Sequence, residues 1–135
     1  MDFARFKVGD NAEEGRFWHI PDLQTGLPLY QKVEGEDGKV TEEPVGIWLR
    51  GIESATVKQA IREHQKRVAS GRSLQDGEND AIARALVVRF QNVERDKRPL
   101  EVTPDDLDWF FGLTNRFVVG AINFASDAGN FISAE

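Results

Sequence analysis

The chain has no cysteine, and its 135 residues include only two histidines, one tyrosine and one methionine. Without thiols there is no disulfide scaffold, no cysteine nucleophile and no zinc–thiolate centre. Two imidazoles leave little for metal or acid–base chemistry. No apolar run approaches the ~20 residues of a spanning helix, and the opening Met1-Asp2-Phe3-Ala4-Arg5 does not read as a signal peptide. Phosphate-loop, dinucleotide-binding, HExxH and GxSxG patterns are missing. The expectation is a cytoplasmic protein that is no enzyme, carries no cofactor or metal and does not enter a membrane.

What is present is an ordinary globular mixture, 40% hydrophobic and 30% charged, in a length that suits a single domain over residues 1–135. The net charge of −6 is unevenly spread. Residues 1–56 carry 6 basic and 11 acidic side chains, residues 57–98 carry 10 and 6, and residues 99–135 carry 1 and 6. A basic island therefore lies between acidic flanks. It serves either internal pairing or a face for a partner.

The first 52 residues read as short strands and turns. Arg16–Ile20 is rich in β-formers and stops at Pro21-Asp22. Strand-like runs on either side of Glu34-Gly35-Glu36-Asp37-Gly38 make a hairpin, and Val45–Leu49 reads as a last, buried strand. A calcium loop here fails, because Val33 would have to fill its first ligand position.

From Ser54 the period becomes helical. Val57, Ala60, Ile61, His64 and Val68 form one stripe, with Lys58, Arg62, Lys66 and Arg67 on the other side and Ser70-Gly71-Arg72-Ser73 as the stop. Asp76-Gly77-Glu78-Asn79 leads into a second helix with the stripe Ile82, Ala85, Leu86, Phe90 and Val93. Thr103-Pro104 with Asp106 is a strong helix start. Gly112 then interrupts, and Thr114 caps a fourth helix through Ala125. The expected architecture is α+β: a small N-terminal β-hairpin region (1–52), three to four helices (53–127) and a flexible C-terminal tail (128–135).

Two arrangements suggest contact surfaces. Lys58, Arg62 and Lys66 step by four residues along one helix face and suit phosphates or an acidic partner. The acidic total and the lack of a base-reading motif weigh against nucleic acid. Phe110, Phe117, Phe124 and Phe131 recur every seven residues, with Trp109 and Phe111 beside them. They serve either a partner-helix seam or the core, and glycines 112, 120 and 129 interrupt the former. His64 near Glu63 and Arg67, and His19 near Asp22, read as structural rather than catalytic.

The order Val45-Gly46-Ile47-Trp48-Leu49-Arg50-Gly51-Ile52-Glu53-Ser54, then Phe90-Gln91-Asn92-Val93, then Pro99-Leu100-Glu101-Val102-Thr103-Pro104-Asp105-Asp106, then Asn130-Phe131, resembles the tail assembly chaperones of long-tailed bacteriophages and prophages. Glu53 stands where that family usually has aspartate, and Phe90 where tryptophan is common. The resemblance implies a non-enzymatic factor of the bacterial host cytoplasm that binds the tape-measure protein and recruits tail-tube subunits, with homo-oligomers allowed. On that reading Trp109, Phe110, Phe111, Phe117 and Phe124 offer apolar contact, and Lys58, Arg62 and Lys66 an electrostatic docking face. Alternative readings are a nucleic-acid-binding regulator using the basic helix, and a virion subunit such as a head–tail connector.

Overall fold

The computed structural model describes residue 3 and residues 9–72, 74 and 77–132. Its elements are α1 (Gly9–Glu14), β1 (Arg16–His19), β2 (Tyr30–Glu34), β3 (Val40–Pro44), β4 (Gly46–Leu49), α2 (Ala55–Ala69), α3 (Glu78–Leu86), β5 (Val87–Gln91), β6 (Glu94–Arg95), β7 (Arg98–Pro99), α4 (Pro104–Leu113), α5 (Asn115–Ser126) and a 3-10 turn (Ala128–Phe131). Among the described residues all strand pairing is antiparallel, and the fold is α+β.

The short sheet is built on β4, which lies between β1 and β5. Ile47 and Leu49 are fully buried, as the apolar run from Val45 requires. Phe17 and Arg89 flank Trp48 on the two neighbouring strands. The Trp48 ring lies 5.6 Å from Phe17 and 4.3 Å from the Arg89 guanidinium, and its Nε1–H donates to Gln91 Oε1 at 3.0 Å. Val45 accepts from the Ile20 N–H at 3.1 Å and donates to the Leu29 carbonyl at 3.0 Å. Both groups of one strand residue face the same side, so β1 and β2 lie end to end along the β3–β4 strand. The β2–β3 ribbon thereby continues the sheet beyond its core-covered part.

The helices begin where the sequence caps them. Ser54 is fully buried and its Oγ accepts from Val57 N at 3.1 Å; Thr103 and Thr114 cap α4 and α5. α2 turns Val57 and His64 inward, and α3 turns Ile82, Ala83 and Leu86 inward. Val57, Ile82, Ala83 and Leu86 join Leu107, Phe110, Phe117, Val118, Ala121 and Ala125 in one core against the sheet.

Several expectations are corrected. The second helix stops at Leu86, and Val87–Gln91 is a strand on β4, so Val45–Leu49 is not the last strand. Val87, Val88 and Phe90 are β-formers, and the open edge of β4 rewards their extended form with ladder hydrogen bonds. The N-terminal region also holds α1, which brings the α-helices among the described residues to five. Residues 128–131 are not a loose tail: they form the 3-10 turn, and Phe131 is 1% exposed. Residues 133–135, Ser73 and Asp76 lie outside the described residues.

The start of α4 is fixed by a buried carboxylate. Asp106, 3% exposed, accepts from both Arg98 guanidinium nitrogens at 2.7 and 3.1 Å and from Glu101 N at 2.9 Å. The Arg98 bonds, then the Glu101 amide, hold its carboxyl down to about 2 against the cost of burial. Its folded value lies below the unfolded value of about 3.9. The stability it contributes is therefore complete above about pH 4 and is lost as pH falls through about 2. Thermal unfolding followed from about pH 5 to about pH 2 is expected to show an acid-induced fall in Tm. Asp106→Asn should start lower and flatten that part of the curve. An unchanged slope contradicts this role.

Candidate interaction surfaces

The seven-residue aromatic series is used within the chain. Phe110, Phe111 and Phe117 are buried and Phe124 is half-buried. Because the helix breaks at Thr114, seven residues carry Phe110 on α4 to Phe117 on α5, whose rings stack at 4.7 Å and 7°. Phe110 also meets Phe90 at 5.4 Å and Phe111 at 5.2 Å, and Phe124 meets Phe131 at 5.9 Å. Of the aromatic contact set, Trp109 remains half-exposed, with the Arg95 guanidinium 5.0 Å from its ring. These rings are core and offer little free surface.

The basic set is placed differently. Lys58, Arg62 and Lys66 are exposed along one face of α2. Arg62 donates to Gln59 Oε1 at 2.9 Å, and none of the three has a carboxylate partner among the described residues. Other members of the basic island are engaged internally. Arg84 pairs with Asp108 at 2.8 Å, Arg98 with Asp106 at 2.7 Å, and Arg67 reaches Glu63 at 4.0 Å. An open hollow beside α2 and α3 is lined by His64, Arg67, Arg72, Asp80 and Arg84. His64 is 6% exposed and its Nε2 has no hydrogen-bond partner. The carboxylates on Arg67 and Arg84, together with Asp80, offset the positive charge around this hollow.

The surface that sequence reasoning missed is the β2–β3 ribbon. No residue from Tyr30 to Pro44 is buried: β2 alternates between exposed and half-buried, and β3 is exposed up to Glu43. Its turn follows the Asp37-Gly38 signal: Gly38 takes φ +77°, and Gly35 N–H donates to the Lys39 carbonyl at 2.8 Å. Tyr30 opposes Pro44, Lys32 opposes Glu42 and Glu34 opposes Val40 on one face of the ribbon. Tyr30 and Val40 are 51% and 61% exposed, and Leu23 and Leu27 in the preceding turn are 47% and 66% exposed. The signal was the pairing of a hairpin motif with acidic residues in both strands, which a core-facing hairpin does not carry.

Among the described residues no helix is long and apolar enough to cross a membrane, and no three His, Asp or Glu side chains gather as a metal site. The class that this fold defines is a small α+β protein with a core-excluded ribbon. Compared with protein-family models, curated proteins and solved structures, the chain matches none of them.

Proposed function

We propose that the chain is a non-enzymatic assembly factor of the tail-assembly-chaperone kind. It acts in the bacterial cytoplasm, keeps a long helical tape-measure protein soluble and brings tail-tube subunits to it. The observation that supports this reading most is the apolar set left outside the core: Val40 and Tyr30 on the ribbon, the latter edge-on to His19 at 4.7 Å, and Leu23 and Leu27 in the turn before it. Scattered exposed apolar side chains are normal, but their concentration on one hairpin and its adjoining turn marks a contact surface. An aggregation-prone helix needs an apolar strip to cover its hydrophobic face and charge around that strip for solubility. The ribbon supplies both, which moves the apolar contact from the buried rings of α4 and α5 to β2 and β3.

Co-expression with a candidate tape-measure protein encoded beside this chain tests this. The complex is expected to co-purify and to keep the tape-measure protein in the soluble fraction. Tyr30→Ser with Val40→Ser is expected to weaken capture about tenfold, the equivalent of about 1.4 kcal/mol, with the fold unchanged by circular dichroism. A tape-measure protein that stays insoluble, or neighbouring genes that encode neither tape measure nor tail tube, overturns the reading.

A further inference from the structure

We infer that the free edge of β2 takes up an extended segment of a partner polypeptide, which adds to the ribbon as a third, antiparallel strand. β2 has β3 as its only strand neighbour among the described residues. The register fixes which main-chain groups are left over. Gly35 N–H donates to the Lys39 carbonyl and Val45 N–H to the Leu29 carbonyl. Hydrogen-bonded pairs therefore fall at every second position between them, at Val33 with Thr41 and Gln31 with Glu43. Tyr30, Lys32 and Glu34 occupy the alternate pairs, so their N–H and C=O groups point away from β3. None of these groups has a partner among the described residues, and all three residues are exposed. The other edge of the ribbon is blunted. Pro44 has no N–H, and its carbonyl accepts from Asn92 Nδ2 at 3.0 Å and Gln91 Nε2 at 3.5 Å.

A row of donors and acceptors that repeats every two residues, about 7 Å, is the complement of another extended main chain. The side chains beside the edge say what that chain carries. In antiparallel addition it sets a cation opposite Glu34, a carboxylate opposite Lys32 and an aromatic ring opposite Tyr30, in that order from its N-terminus. A β-branched residue suits the position opposite Val33. A second copy does not meet this pattern. Two-fold pairing of two β2 edges over their full length is centred on Lys32 and sets Lys32 against Lys32, like charges directly opposite. The inference does not rest on the tail-assembly reading, which puts a helix on the apolar set of the ribbon and its turn rather than a strand on the edge.

Nuclear magnetic resonance on the whole isotope-labelled chain tests the inference, with the end-blocked peptide Lys-Val-Glu-Thr-Tyr as probe. The peptide is expected to bind saturably with Kd below about 1 mM. It should slow amide exchange at Tyr30, Lys32 and Glu34 and leave Gln31 and Val33, whose amides already face β3, as they were. N-methylation of the peptide's Glu removes a donor to the edge and should weaken binding about tenfold. N-methylation of its Thr, whose N–H points outward, should leave binding unchanged. On the protein side, Lys32→Pro removes an N–H that the β3 ladder does not use and should weaken binding by a similar factor. Lys32→Thr keeps that N–H and should retain binding. Circular dichroism and the Gln31 and Val33 amides report whether the ribbon stays intact. No saturable binding up to about 1 mM overturns the proposal. So does equal loss from either N-methylated peptide, or new protection at Gln31 and Val33 as large as at Tyr30, Lys32 and Glu34. A chain that self-associates without peptide and stops doing so as Lys32→Pro also overturns it, since the edge then belongs to a second copy. No tape-measure protein enters these measurements, so their outcome is separate from that of the co-expression.

Discussion

Phe110→Ala is expected to lower stability by about 3–5 kcal/mol, the range for emptying a buried aromatic site. The ring is 2% exposed and stacks on Phe117 at 4.7 Å while meeting Phe90 and Phe111 edge-on. It is the point where β5, α4 and α5 meet, so its loss uncouples the sheet from the helical layer. Against typical domain stabilities of about 5–15 kcal/mol, the variant should show a greatly lowered urea midpoint, read by Trp fluorescence. Phe110→Leu should recover part of the loss by refilling volume. A seam reserved for a partner helix predicts the opposite, a stable variant that fails only in binding.

Gly46→Ala is the second large effect. A Cβ at this position would come within 2.3 Å of the Trp18 carbonyl oxygen and 2.5 Å of the Phe17 ring. The carbonyl belongs to the neighbouring strand and cannot rotate away as a side-chain tip would. β4 must therefore separate from β1. The expected cost is about 3 kcal/mol or more, at the upper end of overpacking penalties. Equilibrium unfolding measures it. Gly112→Ala makes the comparison, since a Cβ there meets nothing within 4 Å; its helical position should make that change neutral or stabilising. A Gly46→Ala variant as stable as the parent would contradict the close strand approach.

Local chemistry was legible from sequence wherever a few adjacent residues decide the outcome. Ser54, Thr103-Pro104 and Thr114 mark the helix starts because a cap acts over three residues. Asp37-Gly38 marks the ribbon turn for the same reason. The boundary between α3 and β5 was not legible. Leu86, Phe90 and Val93 fit a helical stripe, and only the edge of β4, some forty residues earlier, draws Val87–Gln91 into a strand. The seven-residue phenylalanine interval was visible but ambiguous: its use depends on the break at Thr114, which lets Phe110 and Phe117 stack across two helices. The basic island divides likewise. Arg84 and Arg98 find carboxylates in the acidic C-terminal block, while Lys58, Arg62 and Lys66 find none among the described residues. Which cations pair depends on tertiary neighbours, not on the sequence interval.

The most direct measurement of the account's central claim, that the ribbon rather than the aromatic series is the partner surface, is amide hydrogen exchange on the chain alone and in complex with the co-expressed tape-measure protein. The ribbon lies outside the core, so its amides should exchange fast in the free chain. Binding is expected to slow exchange across Tyr30–Glu34 and Val40–Pro44 and to leave Pro104–Leu113 and Asn115–Ser126 as they were. Protection confined to those two helices, with the ribbon unchanged, would contradict it.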